Sequence, residues 1–589
     1  MLRRFVPSLL LLFLLFLTLF GTYAVAQSTT GITGGTVSTY AGPLAPKASS
    51  MVSMSHAEEE KNVEFKSQTV LVQVPTVVTD KAGNHIHDLK KEDFKLEENG
   101  KERKITVFEE VTTTNARLMQ APAPQGTFSN LALNGDTPRN IVVIALDTVN
   151  TPFLDQASGR KELIQYIADS VNSAPVMALV VIGSRGVEII SGLTNDPDVL
   201  MNALKKVRGE LPALQGVDNS MQVLAATGGV MTGIGPILSP GEPAKLIAEF
   251  ITDGDALYGG YTQARAIENT MQAFLGIAWS LSGMPGRKSL IWATGGFPFL
   301  MDSPSAVPGG NLSVLYERAM AALNEAQVSI YPVDVRGLVN PAQGVSDVSS
   351  RETVMGPVLA ERNVKRGWLQ GLTIDTLKDF AAMTGGKAYY NSNDIATGFK
   401  RAVDDSSSYY LIGYYLDTHN TKPGWRKLQV KVGRKDAGVR ARTGFLVTNA
   451  TMNPGLSQEA DLGLALLSPF DSTGIPLSVQ WAGMAPDGDK KKIAFSLHLP
   501  ATGMTIEGEN NAFNVDFMAR AVKTGAPPSN VGSTAKGTFT TDALNKVKAE
   551  GIFYKNAFHL PPGDYQVKFV VRDNLSGKIG SVSAPLTVN

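Results

Sequence analysis

The sequence predicts an α/β fold, a doubly wound and mostly parallel sheet flanked by β modules. Three observations carry the prediction. Asn140 to Asp147 is a near-continuous apolar run closed by an acid, as in a strand buried on both faces. Similar runs at Val176–Ile182, Ser289–Ala293 and Val328–Val333 alternate with segments of helical periodicity. Short strand patterns separated by turn signals lie on either side of that block.

The alternating block begins near Arg139. Leu163, Ile164, Ile167 and Val171 share one helical face. Val187–Ile190 reads as an edge hairpin partner. Asp196–Val207 is helical, with Leu200, Leu204 and Val207 on one side. Residues 208–261 are rich in Gly and Pro and read as an insertion. Helical spacing returns at Ile267, Met271, Phe274, Leu275, Ala278 and Leu281, and Pro285-Gly286 is a stop signal. Helices are expected at 311–326, 374–383 and 395–403. Strands are expected at Ala388–Tyr390 and, last, Tyr409–Tyr415. Such alternation implies right-handed crossovers and helices on both faces.

The remaining organisation follows from composition. Residues 1–26 read as a signal peptide: Arg3 and Arg4, the apolar stretch Leu9–Phe20, then Ala24-Val25-Ala26 before a cut at Gln27. No later segment is apolar enough to span a bilayer. Residues 27–66 are a Ser/Thr/Gly-rich flexible leader. An N-terminal β module covers 67–112, the α/β block 139–420, a β hairpin extension 421–450, and an Ig-like β sandwich 470–589.

The 589 residues carry 54 basic and 54 acidic side chains. Loss of residues 1–26 removes Arg3 and Arg4, leaving 0 − 2 = −2. Neither charge state draws the chain towards nucleic acid. There is no cysteine, which excludes disulfides, thiolate metal sites and thiol nucleophiles. The expected location is outside the cytoplasm: the periplasm, the outer surface or beyond the cell.

Several phrases in order resemble the von Willebrand factor A-related proteins of the Acidobacteria. They are "VPTVVTDKAGNHIHDLKKEDFKLEENGKERKITVFEE", "IVVIALDTVNTP", "PGRKSLIWATGGFP", "SSSYYLIGYY" with "WRKLQVKV" and "VRARTGF", and the ending "LPPGDYQVKFVVRDNLSGKIGSVSAPLTV". The resemblance implies an A-type domain and a metal-ion-dependent adhesion site at the strand ends. In such a site an Asp-x-Ser-x-Ser loop, a Thr and a second Asp hold Mg²⁺ or Mn²⁺, and a partner's carboxylate completes the shell.

Carried over residue by residue, the match is partial. Asp147 takes the place of the first acid, Val149 of the first Ser, and Thr151 of the second. Thr262, in Gly259-Gly260-Tyr261-Thr262, stands for the later Thr, and Thr294 for the missing last Asp. Asn150 supplies an amide oxygen if the loop shifts by one residue. The metal candidates are therefore Asp147, Thr151 and Thr262, for weakly bound Mg²⁺, Mn²⁺ or Ca²⁺. The alternative is that Asp147 hydrogen-bonds loop amides and Thr151 caps the following helix.

The expected ligand face comprises Asp147, Asn150, Thr151, Thr262 and Thr294, and the expected partner is a protein or a cell-surface polymer. This describes a non-catalytic binding or adhesion protein; the alternative is a structural scaffold of the cell envelope without metal-linked binding. No nucleophile, base and oxyanion set converges in the sequence. Ile251-Thr252-Asp253-Gly254-Asp255 reads as a helix end within the insertion. His85 and His87, on alternate residues, offer zinc ligands from one strand face, but with no other ligand in view they read as surface histidines.

Overall fold

A computed structural model describes residues 36–38, 69–112, 126–130, 141–169, 175–210, 242–297, 299, 312–338, 373–405, 407–417, 421–422, 424–447, 454–508 and 510–589. The signal segment 1–26 lies outside these residues, as do most of the leader and residues 211–241 of the predicted insertion.

In chain order, β1 (Thr36–Ser38), β2 (Thr69–Thr79), β3 (Phe94–Glu98), β4 (Lys101–Arg103), β5 (Val107–Thr112) and β6 (Thr127–Ser129) come first. Then follow β7 (Ile141–Asp147), α1 (Phe153–Asp169), β8 (Val176–Gly183), β9 (Gly186–Thr194), α2 (Pro197–Lys206), α3 (Glu242–Leu281), β10 (Lys288–Thr294), α4 (Ser313–Glu325) and β11 (Val328–Asp334). Helix α5 (residues 373–384) and α6 (Ile395–Asp404) lead to β12 (Ser408–Asp417), β13 (Gly424–Val432), β14 (Gly438–Arg440), β15 (Gly444–Val447) and α7 (Pro454–Leu467). The last elements are β16 (Ser478–Asp487), β17 (Lys490–Leu499), β18 (Ala512–Val522), β19 (Ser529–Thr538), α8 (Thr541–Glu550), β20 (Ile552–Leu560), β21 (Gly563–Asp573) and β22 (Ile579–Val588).

This architecture corrects the predicted fold class. Among the described residues, four of the five sheets are wholly antiparallel. Parallel pairing among the described residues is confined to one sheet, ordered β11-β10-β7-β8-β9, and there too β9 runs antiparallel to β8. The chain is therefore a mainly antiparallel β protein with eight helices among the described residues, not a doubly wound parallel α/β fold. The misreading lay in extending the alternating pattern past its true end. Tyr409–Tyr415 has the apolar content of a last parallel strand. Yet β12 pairs antiparallel with β2 and β5, some 300 residues earlier in the chain. Ala388–Tyr390 makes only an isolated bridge, Val333 to Tyr389.

The N-terminal segment and residues 408–447 thus build one β module, with sheets β14-β2-β12-β5 and β15-β13-β3-β4. Val72, Val74, Leu96, Tyr410, Ile412, Tyr414 and Leu428 share its core.

In the mixed sheet, side chains alternate between two cores. Ile141, Val143, Ala145, Leu290 and Trp292 meet α3, α4 and α5. Val142, Ile144, Leu146, Ile291 and Ala293 meet α1, α2 and α6. Helix α2 starts where Asp196 accepts from the amides of Asp198 and Val199, with Pro197 in its first turn. Asp394 caps α6 in the same way through Thr397 N.

Helix α3 corrects two further readings. Its 40 residues run from Glu242 through Leu281, about 60 Å. Residues 251–255 are not a helix end, and Gly259–Thr262 is not a loop. Gly254, Gly259 and Gly260 each weaken the helix by about 1 kcal/mol. The buried stripe of Ile267, Met271, Phe274, Leu275, Ala278 and Leu281 outweighs them.

The modules are tied to the mixed sheet by buried polar contacts. At the amino ends of its strands, Arg287 donates from its backbone N to Tyr409 Oη (3.0 Å), from Nε to Ser329 Oγ (3.0 Å), and from Nη2 to Tyr331 Oη (2.9 Å). Tyr331 Oη donates to Asp405 (2.7 Å), which also pairs with Arg440. C-terminally, the sheets β19-β18-β21-β22 and β1-β20-β17-β16-β6 enclose a common apolar core. Asp461 on α7 pairs with Arg572 and with Arg318 of α4, and Phe470 packs into the core under α3.

Candidate functional site

The strand-end loop after β7 is the place where the sequence directs attention. Register puts Asp147 opposite Ile182, Leu146 opposite Ala293, and Thr294 opposite Asp334. Asp147, Thr294 and Asp334 therefore share one rim of the mixed sheet.

Asp147 is not presented to solvent. Its side chain is buried, with 2% of the residue exposed. Oδ1 accepts from Asn150 N (3.0 Å) and Asn150 Nδ2 (3.0 Å). Oδ2 accepts from Asn150 Nδ2 (2.8 Å), Trp292 Nε1 (2.9 Å) and Thr294 Oγ1 (3.1 Å). Burial pushes its carboxyl up from the usual 3.8 to about 6, and the donors from Asn150, Trp292 and Thr294 limit the rise.

The other predicted ligands are turned inward as well. Thr151 Oγ1 donates to the Asp147 carbonyl and accepts from Gly295 N (2.8 Å). Asn150 offers its NH₂ rather than its oxygen to the carboxylate, and donates also to Thr270 Oγ1 (3.0 Å). Val149 packs in the core beneath α3. Thr294 Oγ1 accepts from Gly296 N (3.3 Å).

Gly295 comes so close to this loop that a Cβ there would lie 2.7 Å from Pro152 Cδ and 3.0 Å from Thr151 Cα. Gly295 is thus a packing requirement.

The expected ligand face is corrected accordingly. Asp147, Asn150, Thr151 and Thr294 come together, but all four are buried. Thr262 does not join them: it lies inside α3, and the α3 residue that reaches the loop is Thr270, two turns further on. The metal set Asp147, Thr151 and Thr262 is therefore not assembled. The physical reason is compensation by neutral donors. An amide NH₂ and an indole N–H occupy the side of the carboxylate where a cation's positive charge would sit.

Gln156 is a part of the site that sequence reasoning missed. Its Nε2 donates to the carbonyls of Thr148 (2.9 Å), Thr151 (2.8 Å) and Glu210 (2.8 Å), and its Oε1 accepts from Glu210 N (3.0 Å). One side chain so fixes the loop after β7 to the segment after α2. Beside it, a cleft of about 80 Å³ is lined by Asp147, Thr151, Phe153, Gln156 and Arg160. It is smaller than the several hundred Å³ that drug-sized ligands fill. A separate cleft of about 480 Å³ lies at the end of β11, lined by Asp334, Tyr389, Tyr390, Asp394 and Arg401. The Asp334 carboxylate is held there by Arg336 (2.9 and 2.7 Å).

No protein-family model and no curated protein matches the chain. Among solved structures, the crystal structure of the TFIIH p34 N-terminal domain is similar at 10% identity. The match covers 45% of this chain and 96% of that one, with a TM-score of 0.18, and no functional inference follows from it. Among the described residues, no helix is long and apolar enough to cross a membrane.

Proposed function

We propose that this chain is an exported, non-catalytic scaffold protein of the cell envelope, related to the von Willebrand factor A-type proteins, in which the strand-end loop is a structural lock and not a cation-dependent contact. The observation that carries the reading is the Asp147 carboxylate: both oxygens are buried and engaged by Asn150, Trp292 and Thr294. A hard cation there would have to displace those donors and would meet a single carboxylate. Mg²⁺, which gives up its water reluctantly, gains little from such a site.

The interlocking of the modules supports the scaffold role. Arg287, Tyr331, Asp405 and Arg440 fasten the N-terminal module, and Arg318, Asp461 and Arg572 fasten the C-terminal one. Buried contacts of this kind hold modules in one arrangement, as a spacer or platform requires. Export rests on the predicted signal segment, and a protein or surface polymer is the partner class that suits such a platform.

Thermal unfolding of the mature chain in EDTA, Mg²⁺ and Ca²⁺ tests the reading, because an ion that binds only the native state raises its stability. The expected result is no change in melting temperature at millimolar Mg²⁺ or Ca²⁺. A rise that Asp147→Ala abolishes would restore cation-dependent adhesion.

A further inference from the structure

The N-terminal β module brings together three metal-binding side chains that lie apart in sequence. Asp80–Asn84 forms a tight turn in which Asp80 accepts from Asn84 N (2.9 Å) and Nδ2 (3.1 Å). The chain then returns beside β2 through the Thr79–His85 bridge and Ile86 N to Val78 O (2.9 Å). This places His85 and His87 next to Glu110 of β5. His87 Nδ1 lies 2.7 Å and His85 Nε2 3.4 Å from Glu110 Oε1. The three donor atoms all fall within 4.8 Å of one another.

We propose that His85, His87 and Glu110 form a binding site for a divalent transition-metal ion, with Zn²⁺ the best chemical fit and a fourth position open to solvent. Two imidazoles and one carboxylate are the donor set of open zinc sites, in which a water or a partner's group fills the last position. Tetrahedral donors about 2.0–2.1 Å from zinc stand roughly 3.3 Å apart. The His85–Glu110 spacing already meets this, and a turn of the half-exposed His87 ring adjusts the other.

A second observation points the same way. The His85 side chain is 10% exposed, yet Nδ1 has no hydrogen-bond partner and Nε2 has only the long approach to Glu110 Oε1 at 3.4 Å. Burying an imidazole in that state is unfavourable, and a metal bond at Nε2 relieves half of the deficit. The site is also held in shape before any ion arrives. Tyr410 Oη donates to Ile86 O (2.9 Å) and accepts from Leu89 N (3.1 Å), clamping the segment that carries both histidines. Its ring stacks on His85 at 5.3 Å. Asp88 N donates to Glu110 Oε2 (3.2 Å), which orients the carboxylate. None of this depends on the Asp147 loop.

Calorimetric titration of the metal-stripped mature chain with Zn²⁺ tests the proposal, beside His87→Ala and Glu110→Gln. His87 is half-exposed, so its loss spares the core; melting in EDTA verifies that each variant is folded. We expect one Zn²⁺ per chain and a loss of affinity of at least about tenfold in each variant, since even the residues that orient ligands contribute roughly 10–100-fold. Absence of Zn²⁺ binding by the wild-type chain would overturn the proposal. So would wild-type affinity in both folded variants.

Discussion

Trp292 Nε1 donates to Asp147 Oδ2 at 2.9 Å, linking neighbouring parallel strands at their carboxyl rim. The same indole ring packs edge-on against Phe274 and Phe297. The aromatic core and the strand-end acid are therefore one unit. A carboxylate coupled to the core in this way is expected to behave as a stability determinant.

The first consequence is a pH dependence with a defined sign. The folded-state pKa of Asp147 is raised from 3.8 to about 6, so between those values the folded chain holds a proton that the unfolded chain has lost. Stability from this group is fully present below about pH 4 and is lost as pH rises through about 6. At about 1.4 kcal/mol per pH unit, the difference amounts to about 3 kcal/mol. Relative to Asp147→Asn, which does not titrate, the wild-type chain should gain stability as pH falls from 7 to 4. Paired denaturation curves at several pH values measure it, and parallel curves would refute it.

Lys288 gives a second pH-dependent expectation. Its residue is 2% exposed and its amine donates to Met284 O (2.7 Å); burial pushes its pKa down to about 7. A depressed lysine stabilises the fold above its unfolded value, and that contribution is lost as pH falls through about 7. Lys288→Met should therefore gain on the wild type as pH is lowered from about 10 to about 7. A constant difference across that range, read from melting temperatures, would show that the amine is not desolvated.

Gln156 joins two loops with one amide. Gln156→Ala leaves the carbonyls of Thr148, Thr151 and Glu210 short of a donor. Loss of about 1–3 kcal/mol is expected, with faster hydrogen exchange at Glu210 N. Exchange at Glu210 unchanged from wild type would remove Gln156 from this role.

Much of the central block was legible in the sequence, because strands β7, β8, β10 and β11 are buried on both faces and read as apolar runs. Two things were not. Strand β12 has the same apolar signature, and only long-range pairing with β2 decides that it belongs to another sheet. The second was the reach of α3. Glycines at 254, 259 and 260 mark a loop by composition, while the buried stripe that overrides them lies further along the helix. At the site, the sequence pointed to Asp147, Thr151 and Thr294, which lie together at the strand ends. Their burial depends on Trp292 and Asn150 supplying donors, which no local motif announces. Glu110 escaped notice beside the two histidines because β5 reaches them only through its pairing with β12, where it stands opposite Tyr410.

The most direct test of the central claim is calorimetric unfolding of Asp147→Ala in metal-free buffer. If the carboxylate is a structural lock, its removal strands Asn150 N and Trp292 Nε1 without an acceptor and leaves Thr294 Oγ1 only its longer bond to Gly296 O, and stability should fall by about 3–5 kcal/mol. A change within about 0.5 kcal/mol, as for an ordinary surface substitution, would contradict it.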